Sequence, residues 1–274
     1  MSTMPGWRPA MLGETPFFAC PAYRNFPYCL YVPQTASAET PNRLLVAVHG
    51  SNRDPDRLRT LYAPLCERTG TVLLVPLFAI GATTPDDEPG YKFGAFGGVR
   101  YDHALLAMIE DAAGRVKLRT ERIWLAGYSG GGQFAERFLL LQPHRLHAVS
   151  IGAPGYVTLL DTSLPWWAGT GGFAERFGHG PDLDAMRRVA IHLCVGAEDT
   201  ETEVIRVPEG HPLWVRGAES AGPTRIARLE RLAESLRAER MDVTVDIFPG
   251  AAHATEPSIP AVTRFLEPRL AASP

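Results

Sequence analysis

Short apolar runs alternate along the chain with segments whose apolar residues recur at helical spacing. Leu44–Val48 and Val72–Pro76 are continuous apolar runs, a pattern typical of strands that are covered on both faces. Over residues 101–117 the apolar positions recur every three or four residues, which predicts an amphipathic helix. Residues 26–32 alternate loosely and end at Pro33, which predicts an edge strand.

The same alternation continues to the C-terminus. Further strands are predicted over residues 123–126, 148–152, 189–195 and 243–248, and further helices after residue 130 up to Pro143, over 224–239 and over 259–270. Buried strands that alternate with amphipathic helices predict an α/β fold with a mostly parallel central sheet and helices on both faces. Because no internal repeat or low-complexity linker interrupts the chain, we expect a single domain over residues 1–274.

Two stretches, residues 77–100 and 156–186, break the alternation and are rich in glycine and aromatic residues. In open α/β folds, ligands bind above the carboxyl ends of the strands, so we expect both stretches there. Residues 156–186 are predicted to form a short aromatic cap insertion, in which Trp166, Trp167 and Phe173 would contact a substrate together with Tyr128. An aromatic patch packed onto the body of the protein is the alternative.

Composition narrows the possible functions. The formal net charge of −3 and the pI near 6.2 give no electrostatic reason to expect a nucleic acid or an anionic membrane as partner. No stretch of about 18 consecutive apolar residues is present, which argues against a membrane span. Residues 1–16 lack a basic segment followed by a continuous apolar one, so we expect no export signal and a cytoplasmic location. The oligomeric state cannot be inferred from the sequence.

The four cysteines do not have the spacing of a metal site. Cys20, Cys29, Cys66 and Cys194 form no C-x-x-C pair, so a structural zinc is not expected. Cys20 and Cys29 are close enough in sequence to pair across a hairpin, but without an export signal free thiols are favoured. Cys66 and Cys194 are interpreted as small buried apolar residues.

A G-x-S-x-G pattern carries the main chemical signal. It runs from Gly127 to Gly131, directly after the strand at residues 123–126 and directly before a helix. A serine between a strand and a helix lies on a very tight turn, and flanking glycines remove the Cβ atoms that would clash there. Ser129 is therefore predicted to be a catalytic nucleophile.

A serine hydroxyl is a weak nucleophile at neutral pH and needs a histidine base oriented by a carboxylate. His253 lies in the loop after the last predicted strand, and Asp199 lies just after the strand at residues 189–195. Both loops leave the sheet at the same edge as Ser129, so the three side chains are predicted to converge.

Each of these assignments has rivals. His211 lies in a long irregular segment and is the main alternative base, although no strand directly precedes it. His49 precedes a turn and is expected to support that turn rather than to transfer protons. The alternative acids, placed less well relative to the predicted strands, are Glu198, Asp161, Asp182 and Asp184.

The order of serine, acid and histidine, with His49-Gly50 after an early strand, resembles the α/β-hydrolase superfamily from about residue 44 to the C-terminus. Residues 127–132, 196–199 and 250–253 are similar to those of small esterases related to feruloyl esterases and polyester depolymerases. This resemblance implies an oxyanion hole formed by the backbone N–H groups of Gly130 and Ser51.

These observations predict a serine esterase that cleaves small or aromatic acyl esters through an acyl-enzyme and needs no metal or organic cofactor. The expected partner is a small-molecule ester. A serine peptidase remains an alternative, since residues 127–132 also fit the G-x-S-x-G-G pattern of prolyl-oligopeptidase-like enzymes. A non-catalytic binding protein on a hydrolase scaffold is a second alternative.

Overall fold

A computed structural model describes residues 11–272 of the chain. Residues 1–10, which belong to the segment where no export signal is expected, lie outside the described residues. The strands of the described residues are β1 (Gly13–Glu14), β2 (Phe18–Cys20), β3 (Tyr23–Val32), β4 (Leu44–Val48), β5 (Val72–Pro76), β6 (Ala95–Phe96), β7 (Val99–Arg100), β8 (Ile123–Tyr128), β9 (Leu146–Gly152), β10 (Ala190–Gly196) and β11 (Val243–Phe248). The helices are α1 (Pro55–Thr69), α2 (Tyr101–Ala113), α3 (Gly130–Leu141), α4 (Phe173–Phe177), α5 (Leu183–Met186), α6 (Arg225–Ala238) and α7 (Ile259–Ala272).

Nine of these strands form one sheet, in the order β1-β3-β5-β4-β8-β9-β10-β11, with β2 paired to β3. The strands from β5 to β11 along this order are parallel, whereas β1, β2 and β3 pair in antiparallel fashion. The crossovers between parallel strands pass through helices, so both faces of the sheet are covered. This architecture confirms the predicted α/β fold.

The continuous apolar runs serve both faces of the sheet because successive side chains of a strand point in opposite directions. On β4, Val46 packs in the core cluster shared with α2, α3 and α6, while Leu45 packs in the cluster shared with α1 and α7. Every residue of β4 and β5 is buried. The rigid centre of the sheet therefore fixes the carboxyl ends of β4 and β8 next to each other.

Two elements differ from the sequence-based prediction. Strand β3 does not lie at the edge, because it pairs with β5 on one side and with β1 and β2 on the other. Helix α1 was not predicted; Asp54 caps it by accepting a hydrogen bond from the Arg57 N–H at 3.1 Å, and Pro55 occupies its first turn. Pro64 lies inside α1, and because proline disfavours the interior of a helix, the sequence does not predict a helix of this length here.

The two irregular stretches lie between β5 and α2 and between β9 and β10. Their expected position above the carboxyl ends of the strands stays a prediction. The first contains a 3₁₀ turn (Gly90–Phe93) and the hairpin of β6 and β7. The second, between β9 and β10, contains only the short helices α4 and α5. Whether residues 156–186 act as a cap remains a prediction. No helix among residues 11–272 is long and apolar enough to cross a membrane.

Candidate active site

Ser129 lies at the tight turn between β8 and α3. Its φ of 56° and ψ of −119° are unusual for a residue with a side chain, and such strain costs on the order of 1–3 kcal/mol. The turn is held by a hydrogen bond from the Ser129 N–H to the Gly152 carbonyl oxygen at 2.8 Å. A Cβ on Gly127 would overlap the Gly131 carbonyl, and one on Gly131 would overlap the Val48 carbonyl. The glycines of the motif are therefore required by close backbone packing.

The structure brings Ser129, His253 and Asp199 together in one hydrogen-bonded chain. The His253 Nε2 atom lies 2.9 Å from the Ser129 hydroxyl oxygen, and the His253 Nδ1 atom lies 2.6 Å from Asp199 Oδ2. The loops that carry the acid and the histidine are tied to each other, since the Glu198 N–H donates to the Ala251 carbonyl at 2.9 Å. With Nδ1 donating to the carboxylate, Nε2 is free to accept the serine proton.

Asp199 is buried and has a second partner. Its Oδ1 accepts a hydrogen bond from the Arg225 guanidinium at 2.9 Å, and both side chains are almost completely buried. Burial raises the pKa of Asp199, but the hydrogen bonds and positive charges of His253 and Arg225 outweigh burial, so its pKa lies below the usual value. Asp199 is therefore a carboxylate at neutral pH.

The backbone of Gly130 and Ser51 lies beside the serine. A Cβ on Gly130 would lie 3.2 Å from the Ser51 amide nitrogen and would overlap the Tyr91 hydroxyl. Gly130 is the first residue of α3, where backbone N–H groups lack partners within the helix and the helix dipole is positive. The two amides suit the stabilisation of a negative charge that develops next to Ser129.

His49 and Arg53 hold the loop that carries Ser51. The His49 Nδ1 donates to the Gly50 carbonyl at 2.8 Å, because Nε2 accepts from the Phe78 N–H at 3.0 Å. Burial lowers the pKa of His49 to about 4, so its ring is neutral. The Arg53 guanidinium donates to the carbonyl oxygens of Ser51, Phe78 and Glu88 at 2.9, 2.8 and 2.6 Å. These contacts support the expectation that His49 stabilises the loop.

A cleft of about 410 Å³ opens beside Ser129. Apolar side chains of α1 form part of its wall, and a salt bridge between Arg57 and Glu256 joins the start of α1 to the segment after His253. The lining residues are Gly50, Ser51, Asn52, Asp54, Arg57, Leu58, Leu61, Tyr128, Ser129, His253, Ala254, Thr255 and Glu256. The serine, the histidine and Ser51 thus share one accessible site.

Of the four side chains expected to contact a substrate, only Tyr128 lines this cleft, with its ring centre 5.4 Å from that of His253. The Trp167 indole donates to the Leu213 carbonyl at 2.8 Å and is nearly buried. Trp166 packs edge-on against Phe173 in the core of the second irregular stretch. These three aromatic side chains pack onto the body of the protein, and the lining of the cleft does not include them.

The rival residues occupy other settings. His211 is exposed, and its Nδ1 accepts a hydrogen bond from the Leu213 N–H at 3.1 Å. Glu198 and Asp161 are exposed, Asp182 caps α5, and Asp184 pairs with Arg187. The hydrogen-bonded chain to Ser129 includes none of them.

A second serine–histidine–aspartate chain crosses the sheet. The Ser150 hydroxyl lies 2.9 Å from His192 Nδ1, and His192 Nε2 lies 3.1 Å from Asp246. Ser150 and His192 are buried within β9 and β10, and the His192 ring stacks on Phe265 at 4.8 Å. A buried serine in the middle of a strand has no room for a substrate, so this chain has a structural role and offers a matched control.

All four cysteines are buried free thiols, in agreement with the expectation for Cys20 and Cys29. Within residues 11–272 no group of three or more histidine, cysteine or acidic side chains is arranged to hold a metal ion.

Sequence reasoning did not identify Arg225 or Arg53. Each follows a turn and looks like any other arginine of this arginine-rich chain. Arg225 contacts Asp199, and Arg53 contacts Phe78 and Glu88, all of which are far away in sequence. Only the contact of Arg53 with the Ser51 carbonyl is local.

No protein-family model matches the sequence, and a comparison with curated proteins finds no significant match. Solved structures do match. The chain is similar to LpqC, a poly(3-hydroxybutyrate) depolymerase from Bordetella parapertussis, with a TM-score of 0.73, 22% identity, and 94% of this chain and 95% of that chain covered. It is similar to poly(aspartic acid) hydrolase-1 from Sphingomonas sp. KT-1, with a TM-score of 0.72, 17% identity, and coverage of 94% and 98%.

A ferulic acid esterase also matches, with a TM-score of 0.64, 12% identity, and coverage of 94% of this chain and all (100%) of that chain. At these identities the likeness establishes the fold. The chain has the α/β-hydrolase fold, which confirms the fold that the resemblance implied.

Proposed function

We propose that the protein is a serine hydrolase that cleaves carboxylic esters through an acyl-enzyme intermediate. The observation that carries this proposal is the hydrogen-bonded chain from Ser129 through His253 to Asp199, with the serine at the wall of an open cleft. The strained backbone of Ser129 and the adjacent amides of Gly130 and Ser51 support it.

In the first half-reaction, His253 Nε2 takes the proton of the Ser129 hydroxyl as its oxygen attacks the ester carbonyl carbon. The carbonyl oxygen becomes an oxyanion that accepts hydrogen bonds from the N–H groups of Gly130 and Ser51. Asp199 stabilises the imidazolium. His253 then gives its proton to the departing alkoxide oxygen, the C–O bond breaks, and an alcohol and an acyl-Ser129 ester remain.

In the second half-reaction, His253 takes a proton from a water molecule that attacks the acyl-enzyme carbonyl. The same two amides stabilise the second oxyanion, and His253 returns the proton to the Ser129 oxygen as the bond to the acyl group breaks. A carboxylic acid is released and the enzyme is restored. The residues of this chain supply every proton transfer in the scheme.

The cleft favours a small acyl or alcohol group. Its volume of about 410 Å³ is at the lower end of the usual range for ligand pockets. Leu58 and Leu61 offer an apolar wall, whereas Asp54, Arg57 and Glu256 make the rest polar. The neighbours named as a poly(3-hydroxybutyrate) depolymerase and a ferulic acid esterase share this fold, which supports ester hydrolysis as the reaction class.

The test is hydrolysis of p-nitrophenyl acyl esters, a feruloyl ester and a proline-containing peptide anilide by the wild type, Ser129→Ala and Ser150→Ala. Ester turnover that the first substitution abolishes and the second preserves would support the proposal. Turnover of the anilide alone would favour a peptidase instead, and a wild type inactive on the whole panel would contradict the esterase function.

A further inference from the structure

The carboxylate of Asp199 is held between two partners. Oδ2 faces the His253 ring at 2.6 Å, and Oδ1 accepts from the Arg225 Nη1 at 2.9 Å. The side chain of Asp199 is fully buried, and that of Arg225 is 7% exposed. Ser129, His253 and Asp199 suffice for the proposed reaction. The buried Arg225 cation, which lies beyond Asp199 in this series of hydrogen bonds, therefore needs its own explanation.

The position of Arg225 is set by the start of α6. Thr224 caps this helix by accepting a hydrogen bond from the Ala227 N–H at 3.1 Å. One turn later, the Arg228 guanidinium donates to the carbonyl oxygens of Ile205 and Gly222, each at 2.8 Å. These contacts anchor the N-terminal turn of α6 to the segment that follows Asp199, so the Arg225 guanidinium is held against the carboxylate.

We propose that Arg225 is a positioning residue of the hydrolase, which holds Asp199 toward His253 and sets the lower pH limit of activity. The inference rests on the proposed function, since it concerns how Ser129 is activated. Arg225 touches neither the serine nor the cleft among the described residues. It acts through Asp199.

The direction of the effect follows from charge. A carboxylate next to an imidazole stabilises the imidazolium and raises the pH below which the base is lost. The Arg225 cation offsets part of this carboxylate charge and so disfavours a second positive charge on the imidazole at the other oxygen. Removing the cation therefore moves the acid limb of kcat/KM to higher pH.

The other titratable and charged groups near His253 are the same in the wild type and in a variant that lacks the Arg225 cation. The Tyr128 ring packs against the imidazole from β8, and burial raises the pKa of its phenol, so it is neutral. Asp54, Arg57 and Glu256 line the cleft on its accessible side. The guanidinium and the imidazole contact opposite oxygens of the same carboxylate. At an effective dielectric constant of about 20, loss of the cation shifts the acid limb upward by on the order of one pH unit.

The experiment is the pH dependence of kcat/KM for a p-nitrophenyl ester in the wild type, Arg225→Gln and Arg225→Lys. We expect the glutamine variant to shift the acid limb upward by about one pH unit and to lower kcat by roughly 10- to 100-fold. Lysine keeps the charge but not the forked geometry, so its acid limb should stay near that of the wild type while kcat falls.

Arg137→Gln is the matched control. It removes a fully buried arginine of α3 that donates to the buried Glu136 carboxylate and to the Tyr156 carbonyl but not to Asp199. A purely structural role would lower the melting temperature and the activity of both glutamine variants without moving either acid limb. We expect the limb of Arg137→Gln to stay close to that of the wild type.

An unshifted acid limb in folded Arg225→Gln would overturn the inference while leaving the proposed function intact. If this variant does not fold, Arg225→Met, whose own side chain adds no polar group, is measured in its place. If neither variant folds, the ion pair between Arg225 and Asp199 is required for the stability of the fold and not for the pH limit, which would also contradict the inference. A wild type without ester turnover would instead contradict the proposed function.

Discussion

Replacement of Asp199 by asparagine tests how the buried carboxylate controls the histidine. The two carboxylate oxygens accept from Arg225 at 2.9 Å and from His253 at 2.6 Å. Asparagine has only one acceptor oxygen and presents an NH₂ group on the other side. Whichever way the amide is oriented, its NH₂ group faces a group that donates in the wild type, so one of the two original hydrogen bonds is lost.

The charge of Arg225 decides the orientation. A hydrogen bond to a charged group contributes about 1.5–3 kcal/mol, against about 0.5–1.5 kcal/mol for one between neutral groups. The amide oxygen of the variant should therefore face Arg225, and the NH₂ group should face His253 Nδ1. The imidazole then carries its proton on Nε2, which can no longer accept the proton of Ser129.

The expected loss in kcat is roughly 10³- to 10⁴-fold, with the free energy of unfolding lowered by up to about 3 kcal/mol because the Arg225 charge loses its carboxylate. Steady-state hydrolysis of a p-nitrophenyl ester at pH 8 and urea unfolding measure the two effects. Glu198→Gln is the control, because this neighbouring carboxylate is exposed and should matter little. An Asp199→Asn enzyme within tenfold of the wild type in kcat would refute the reasoning.

Three further predictions concern the surroundings of Ser129. Gly130→Ala places a Cβ against the Tyr91 hydroxyl and near the Ser51 amide. We expect kcat to fall by roughly 10²- to 10³-fold with little change in KM. An unaffected kcat would contradict an oxyanion hole formed by the Gly130 and Ser51 amides. Leu61→Trp adds bulk at the apolar wall of the cleft and should lower kcat/KM for longer acyl chains by roughly 10- to 200-fold relative to kcat/KM for acetyl. Trp166→Ala should leave this ratio of long-chain to acetyl kcat/KM unchanged. If Trp166→Ala changes the ratio and Leu61→Trp does not, Trp166 belongs to the pocket. The unfolded chain binds a proton at His49 near pH 6.5, but burial lowers its native pKa to about 4, so acidification through this window favours unfolding. The free energy of unfolding from urea titrations should fall by about 3 kcal/mol between pH 6.5 and 4 from this residue, and His49→Asn should remove that part; an identical pH profile in the variant would contradict it.

Much of the fold was predictable because the sheet is buried on both faces. The apolar runs of β4, β5 and β8 are visible in the sequence since no side of these strands faces water. Helix α1 was missed because Pro64 lies inside it and because polar residues predominate along it. The pairing partners of β3 were missed because β1 and β2 contain only two and three residues, too few for a periodic signal.

The candidate site was predictable where it depends on local backbone geometry. Ser129, Asp199 and His253 each follow directly or closely after a strand, and parallel strands bring such loops to one edge. The pocket residues could not be predicted in the same way. Trp166 and Phe173 suit a pocket wall and a packed core equally well by composition, and only their tertiary contacts place them away from the cleft. Leu58 and Leu61 belong to the helix that was missed.

The central claim is that Ser129 is the nucleophile that becomes acylated. The most direct measurement is mass-spectrometric mapping of the protein after reaction with a fluorophosphonate, which attacks activated serines, with ester turnover followed in parallel. We expect one adduct, on Ser129, formed as turnover disappears, and none on Ser150 despite its histidine partner. An adduct on another serine, or ester turnover that persists after Ser129 is fully labelled, would contradict it.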